Sequence, residues 1–372
     1  MQIRQIEARV VDMPLVTPFR TSQSLEVSRR AMLVRVDTDR GPGWADLAVE
    51  DEPIFGHEFI DATWPALGTI MAPRLLGREV TGSAVAHLLR GVVGHHATKS
   101  ALEMAVLDAE LRAAGMNLSA YLGGVRDSVP VGVSVGITDT LDELVDLVAG
   151  YLDEGYPRIK LKVQPGWDVA LLKRVRAEFG DEFDLQVDGN GAYGPAEVSH
   201  LASFERFGLS MIEQPFPALD LRSHERLARS TGVPVCLDES VKSARDALRA
   251  IETGACSVVN IKPARVGGYL EARRIHDVCA AASVAVWCGG MLESGVGRAQ
   301  NLALAALPGF TYPSDISATS RYFERDLTEA FELEDGCLRV PQGAGSGVTV
   351  DLDALDEFTV ARKVYAGSAS VS

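Results

Sequence analysis

Residues 1–50 alternate apolar and polar positions with a period of two in two stretches, Ile3–Val11 and Ala31–Asp37. A turn, Asp39-Arg40-Gly41-Pro42-Gly43, then precedes Trp44–Leu47. This is the pattern of antiparallel strands joined by tight turns. Between the strands, Pro18–Val27 fits no clean period and reads either as a surface loop or as a flap over a pocket. Helical spacing follows over His57–Leu76, Val85–Val93 and Ala97–Ala114, the last ending at Gly115, a glycine placed for a C-cap. Strands first and helices after predict an α+β domain over residues 1–125.

From Val129 the pattern changes. Short apolar, β-branched runs recur at Val129–Val135, Arg158–Val163, Phe183–Val187, Leu209–Ile212, Val233–Leu237, Ser257–Ile261, Val284–Cys288 and Tyr312–Ile316, with helical patterns such as Leu141–Gly155 between them. Such a repeat leaves room for one strand, one helix and two short loops. Eight strand ends predict an α/β fold, a (β/α) barrel over residues 126–318 with an irregular last unit. Beyond it, Phe323–Phe331, a turn at Gly336 and the glycine-rich run Gly343–Gly347 do not continue the barrel. This tail, residues 319–372, is expected to return to the first domain. The glycine run neither follows a strand nor opens a helix, so it is not read as a phosphate loop.

Charged residues mark the ends of the middle strands: Lys160-Leu161-Lys162, Asp188-Gly189-Asn190, Glu213-Gln214-Pro215, Asp238-Glu239 and Asn260-Ile261-Lys262. From Lys162 their spacings are 26, 25, 25 and 24 residues. Charge repeated at strand ends is costly unless those ends meet around one polar site, as they do at the carboxyl face of a closed barrel. Asp188, Glu213 and Asp238 end consecutive strands and would be neighbours on the rim. Three independent salt bridges would explain them, but three converging carboxylates flanked by lysines fit a divalent ion better. Oxygen donors without Cys or His favour Mg2+, with Mn2+ second. Lys160 and Lys162, two apart on a strand, face the barrel interior together, and Lys262 ends a strand across the barrel. A lysine near a divalent cation and a second lysine is expected to have its pKa lowered, giving a neutral amine that acts as a base. One amine on each side of a metal that holds a substrate carboxylate would address both faces of the carbanion formed when the α-proton leaves. A Schiff-base aldolase would need one lysine and no carboxylate triad.

The totals narrow the field. At 372 residues the chain has room for a barrel and a smaller domain. A net charge of −15 argues against nucleic acid and anionic membranes as partners. The five cysteines are odd in number and show no CxxC spacing, so they read as reduced, buried small hydrophobes. Neither an apolar signal core nor a membrane-length apolar run is present, and a cytoplasmic enzyme is expected.

These residues resemble the enolase superfamily, in its muconate-lactonising-type subgroup with the Lys-x-Lys strand. More narrowly, the chain is similar to the o-succinylbenzoate synthase / N-succinylamino acid racemase family. The likeness runs near full length and includes Pro18-Phe19-Arg20-Thr21-Ser22, Lys99–Ala105, Val131–Gly136 and, most specific, Gly289-Gly290-Met291-Leu292-Glu293-Ser294-Gly295. It implies a modified (β/α)7β TIM barrel under an α+β capping domain built from the N-terminal segment and the C-terminal tail. It implies Lys162 and Lys262 as the acid–base pair and Mg2+ on Asp188, Glu213 and Asp238, with Glu239 behind them. Substrate contacts would come from Ser134, Lys160, Asn190, Gly290, Met291 and Leu292, with Phe19 to Gln23 as a capping flap. Arg265 matches the racemising members' pattern, though a rim salt bridge would explain it equally well. The partner implied is a small-molecule carboxylate, and the assembly a homo-oligomer, an octamer or a dimer. Two reactions share such a site: elimination of water to give o-succinylbenzoate, a menaquinone-pathway step, and racemisation of N-acylamino acids. Dipeptide epimerisation, muconate cycloisomerisation or a catalytically silent carboxylate binder are the alternatives. The chain departs from the family at Gln23-Ser24-Leu25-Glu26, at Ala264 and in the acidic Val49-Glu50-Asp51-Glu52.

Overall fold

A computed structural model describes residues 1–21 and 24–366. The chain opens with three antiparallel strands, β1 (Ile3–Arg20), β2 (Leu25–Thr38) and β3 (Gly41–Leu47). The aperiodic Pro18–Val27 stretch is thus largely strand. The β1–β2 hairpin extends through an irregularity between Pro14 and Phe19, which breaks the alternation and hid the strands from a period-two reading. Its tip is anchored to the barrel, where Ile137 N donates to Arg20 O at 2.8 Å.

The long helix His96–Ala114 packs under this sheet and ends at Gly115 in a left-handed conformation (φ 64°). Helical spacing from His57 becomes a helix only at Ile60, with a π-helical turn over Ala66–Met71. The shift has a physical cause. The Glu58 carboxylate caps the neighbouring helix, accepting from Ala97 N at 2.7 Å and Thr98 N at 3.1 Å, and Phe59 is extended in a bridge to Glu50, so the helix starts only after it. Val85–Val93 is likewise helical over Gly82–Leu88.

Strand β4 (Ser128–Pro130) leads into a seven-stranded parallel sheet. Its members are β5 (Val133–Val135), β6 (Arg158–Lys162), β7 (Asp184–Asp188), β8 (Met211–Glu213), β9 (Val235–Leu237), β10 (Val258–Ile261) and β11 (Ala285–Cys288). They lie side by side in chain order. An irregular eighth segment closes the ring: Thr311 N and Asp315 N donate to Val286 O and Cys288 O, while Gly132 N donates to Ser314 O at 2.8 Å. The fold is the modified (β/α)7β TIM barrel with an α+β cap. In the tail, β12 (Cys337–Arg339) pairs with β4, and β13 (Thr359–Ala366) pairs antiparallel with β1. The Gly343–Gly347 run straps the long helix, with Ser346 N donating to the buried Asp108 carboxylate at 2.6 Å.

Met211, Cys236, Val258 and Trp287 form an apolar floor inside the barrel. Two residues further along their strands, on the same face, stand Glu213, Asp238 and Asn260. All five cysteines are free, four of them buried. Among the described residues no helix is long and apolar enough to cross a membrane.

Packing of β3 on the long helix should be intolerant of any side chain at Gly43, where a Cβ would lie 2.1 Å from Ala105 O. Gly43→Ala is expected to destabilise by roughly 1–3 kcal/mol. Gly150→Ala should instead stabilise by up to about 1 kcal/mol, because Gly150 lies in the helix Leu141–Asp153 with open space around it. Opposite shifts of the thermal midpoint check both.

Candidate active site

Parallel register brings the charged strand ends together. Lys162 lies opposite Asp188, and Asp188 opposite Glu213, in adjacent strands. Lys160 Nζ sits between three carboxylates, 2.6 Å from Asp315, 3.1 Å from Glu213 and 3.3 Å from Asp188. Lys162 Nζ donates to Asp188 Oδ2 and Asn190 Oδ1, both at 2.7 Å. Lys262 Nζ donates to Asp238 Oδ2 at 2.8 Å and stands 4.4 Å from the centre of the Phe55 ring. β6 and β10 are four places apart in an eight-place ring, so the two lysines rise from opposite sides of the mouth. Gly289 makes room for this, since a Cβ there would lie 2.7 Å from Lys262 Cε.

The three rim carboxylates are fully buried, with 1% exposure or less. Burial pushes Glu213 up to about 8, with Asp188 adding to the push. Burial would raise Asp188 too, but Lys162 and Lys160 outweigh it and hold the group down. Asp238 is likewise held down against burial by Lys262 and Arg265. Glu239 is pushed up to about 7 by burial and by Asp238. Burial works to lower Lys160 and Lys262, yet Asp315, Glu213 and Asp188 raise the first and Asp238 raises the second. Carboxylates uncompensated by a divalent ion act on the amines at full strength.

Among the described residues, no group of three or more His, Cys, Asp or Glu side chains closes on a metal position as it stands. Ammonium groups and Arg265 take up the carboxylate oxygens instead. The donor set nevertheless suits a hard divalent cation, being three buried carboxylates on successive strands whose repulsion raises Glu213. Buried Glu239 Oε2 and Asn260 Oδ1 have no hydrogen-bond partner.

A cavity opens above these groups. It is lined by Lys162, Asn190, Glu239, Lys262, Gly290, Met291, Leu292 and Phe19. Asn190 links two of them, its Nδ2 donating to Glu239 Oε1 at 3.0 Å. Three residues suggested as substrate contacts stand elsewhere. Lys160 lies below the cavity over the Trp287 ring, 5.0 Å from its centre. Ser134 is its buried neighbour on β5. Arg265 donates to Asp238 Oδ1 and, at 2.8 Å, to Val241 O; it borders an adjoining cavity. Gln23 lies outside the described residues.

The sequence reading gave no site role to three other members, although it placed Asn260 and Asp315 at strand ends. Gln186 and Asn260 hold Glu213 at 2.8 and 2.6 Å. Both sit two residues before a strand-end charge, the spacing that placed Lys160 with Lys162. Asp315 ends the eighth beat and grips Arg158 and Lys160, each at 2.6 Å. Glu26, Glu50, Ile54 and Phe55 also line the cavity. No periodicity announces them.

A barrel with buried strand-end carboxylates and opposed lysines under an α+β cap defines an enzyme of the enolase class. The profile described as "Enolase C-terminal domain-like" matches residues 143–354. An N-succinylamino acid racemase of an Amycolatopsis species is 52% identical over 99% of this chain and 100% of its own length. An o-succinylbenzoate synthase of Geobacillus kaustophilus is 39% identical over 98% of each chain. The crystal structure of an enolase superfamily member from Listeria innocua superposes with a TM-score of 0.94 at 35% identity, covering 98% of this chain and 99% of that one. The chain belongs to the enolase superfamily, in the family of o-succinylbenzoate synthases and N-succinylamino acid racemases.

The ion-free protein should lose stability as pH rises. Glu213 shifts from an ordinary 4.5 to about 8 on folding, so between those values the folded state binds the proton more tightly than the unfolded chain. Stability is then greatest at the low end of that window and falls toward its top. Thermal midpoints of chelator-treated protein should decline from pH 5 to pH 8.

Proposed function

We propose that the enzyme removes the α-proton of a carboxylate substrate by way of an enediolate, as an N-succinylamino acid racemase, an o-succinylbenzoate synthase, or both. The observation that carries the reading is the pair of amines, Lys162 and Lys262, rising from opposite sides of one cavity. Asp188, Glu213 and Asp238 would hold magnesium, with manganese as a substitute. Bound there, the ion would supply positive charge for the substrate carboxylate and relieve the carboxylate field that raises Lys262.

The chain's own groups do the rest. Asn190 and Asp188 fix the Lys162 amine; Asp238 and the Phe55 face fix that of Lys262. In racemisation, one lysine as neutral amine takes the α-proton from its face, and the other as ammonium returns a proton to the opposite face. In elimination, Lys162 takes the proton and then gives it to the departing hydroxide on the same face. Lys262 stays cationic and stabilises the enediolate charge. Phe19 and Leu292 on the cavity wall keep water from the exchangeable amines.

Incubating N-succinyl-phenylalanine in D2O with Mg2+ should wash out its α-proton NMR signal. Lys162→Ala and Lys262→Ala should each cut racemisation by about 10²–10⁴-fold. Racemisation surviving in either variant contradicts the two-base assignment. An unchanged α-proton signal across N-acylamino acids, with no o-succinylbenzoate formed from its precursor, contradicts the reading as a whole.

A further inference from the structure

Two carboxylates with no part in the proton chemistry line the cavity: Glu26, near the start of β2, and Glu50, just beyond β3. Arg29 Nη1 holds both, at 3.2 Å from Glu26 and 2.8 Å from Glu50. The guanidinium is only 1% exposed, is absent from the cavity lining and feels Asp46 and Glu293 as well, so it pins the acids from behind. One buried cation serves two carboxyl groups, so a second cation arriving from the cavity meets acceptor oxygens once it displaces the proton that burial and Glu50 favour on Glu26. Burial pushes Glu26 up to about 7, with Arg29 opposing and Glu50 adding to the push.

The same two acids also border a second, outer cleft of about 850 Å³, which they share with Asp51, Glu52, Arg29 and Arg30. Four carboxylates there face two guanidiniums, one of which, Arg30, is already tied to Asp51 at 2.9 Å. Phe19, Ile54 and Phe55 supply apolar wall on the inner side. An apolar sleeve ending at an anionic wall suits a side chain with a methylene stem and a cationic head.

We propose that Glu26 and Glu50 make the enzyme selective for N-acylamino acids with long basic side chains, and that the same wall disfavours side chains ending in a carboxylate. Resting as it does on the α-proton reading, the inference adds the substrate's side-chain class to it. The ammonium or guanidinium head stands against the two carboxylates, while the stem lies along Ile54 and Phe55.

The test compares kcat/KM for α-proton exchange of N-succinyl-arginine, N-succinyl-methionine and N-succinyl-glutamate in the full-length Mg2+-loaded enzyme. The arginine substrate should exceed the methionine substrate by roughly tenfold or more, the scale of one charge-assisted contact, and the glutamate substrate should fall below both. Glu26→Gln and Glu50→Gln should each lower the arginine-to-methionine ratio by about tenfold. Glu26→Gln leaves the shorter Arg29–Glu50 contact in place, so it serves if Glu50→Gln unfolds the hairpin. Equal rates on all three substrates, or a ratio unmoved by Glu26→Gln, overturn the assignment while leaving the α-proton reading intact. Exchange with none of the three overturns the assignment, and overturns the α-proton reading with it when no o-succinylbenzoate forms from its precursor either.

Discussion

Everything at the barrel mouth answers to one electrostatic problem, the burial of Asp188, Glu213 and Asp238 side by side. Three carboxylates drawn out of water on neighbouring strands repel one another unless positive charge is placed among them. The chain places it with Lys160, Lys162, Lys262 and Arg265, each within hydrogen-bonding reach of at least one of the three. Glu213 is pushed up chiefly by its burial, with Asp188 and Asp238 adding to the push. The cationic residues that balance the site include the two amines assigned to the chemistry, so charge balance and proton transfer are coupled.

The scaffold is arranged to hold that balance still. The floor of Met211, Cys236, Val258 and Trp287 is buried and apolar, and Trp287 lies under both Arg158 and Lys160. Asp315, on the irregular eighth segment, ties those same two cations. Barrel closure and the lowest layer of charge therefore share residues. Above, the cap contributes the other wall, with Phe19 from the extended hairpin and Phe55 from the segment after β3. The buried charge sits on strand ends while Phe19 and Phe55 come from the cap, the division that lets one barrel serve many substrates.

The barrel was readable because its period is written in charge as well as in hydrophobicity. Five consecutive strands, β6 to β10, end in Lys162, Asp188, Glu213, Asp238 and Lys262, charges that are costly anywhere but the mouth. Gln186, Asn260 and Asp315 were equally readable in principle, by the two-residue spacing and by the eighth beat. Other features were not. Glu50 and Phe55 reach the cavity only because the cap docks there, and tertiary docking leaves no period in the chain. The start of the helix expected at His57 depends on Glu58 capping a different helix, a contact with residues 39 and 40 positions away. Arg265 points to Asp238 because a buried anion outbids an open cavity for a guanidinium.

The account centres on two amines addressing opposite faces of one planar intermediate. Enantiomer-resolved exchange in D2O tests that geometry most directly. With separate samples of N-succinyl-L- and N-succinyl-D-amino acid, Lys162→Ala should retain exchange of one enantiomer only, and Lys262→Ala of the other only. Both variants exchanging the same enantiomer would place the amines on one face and contradict the account.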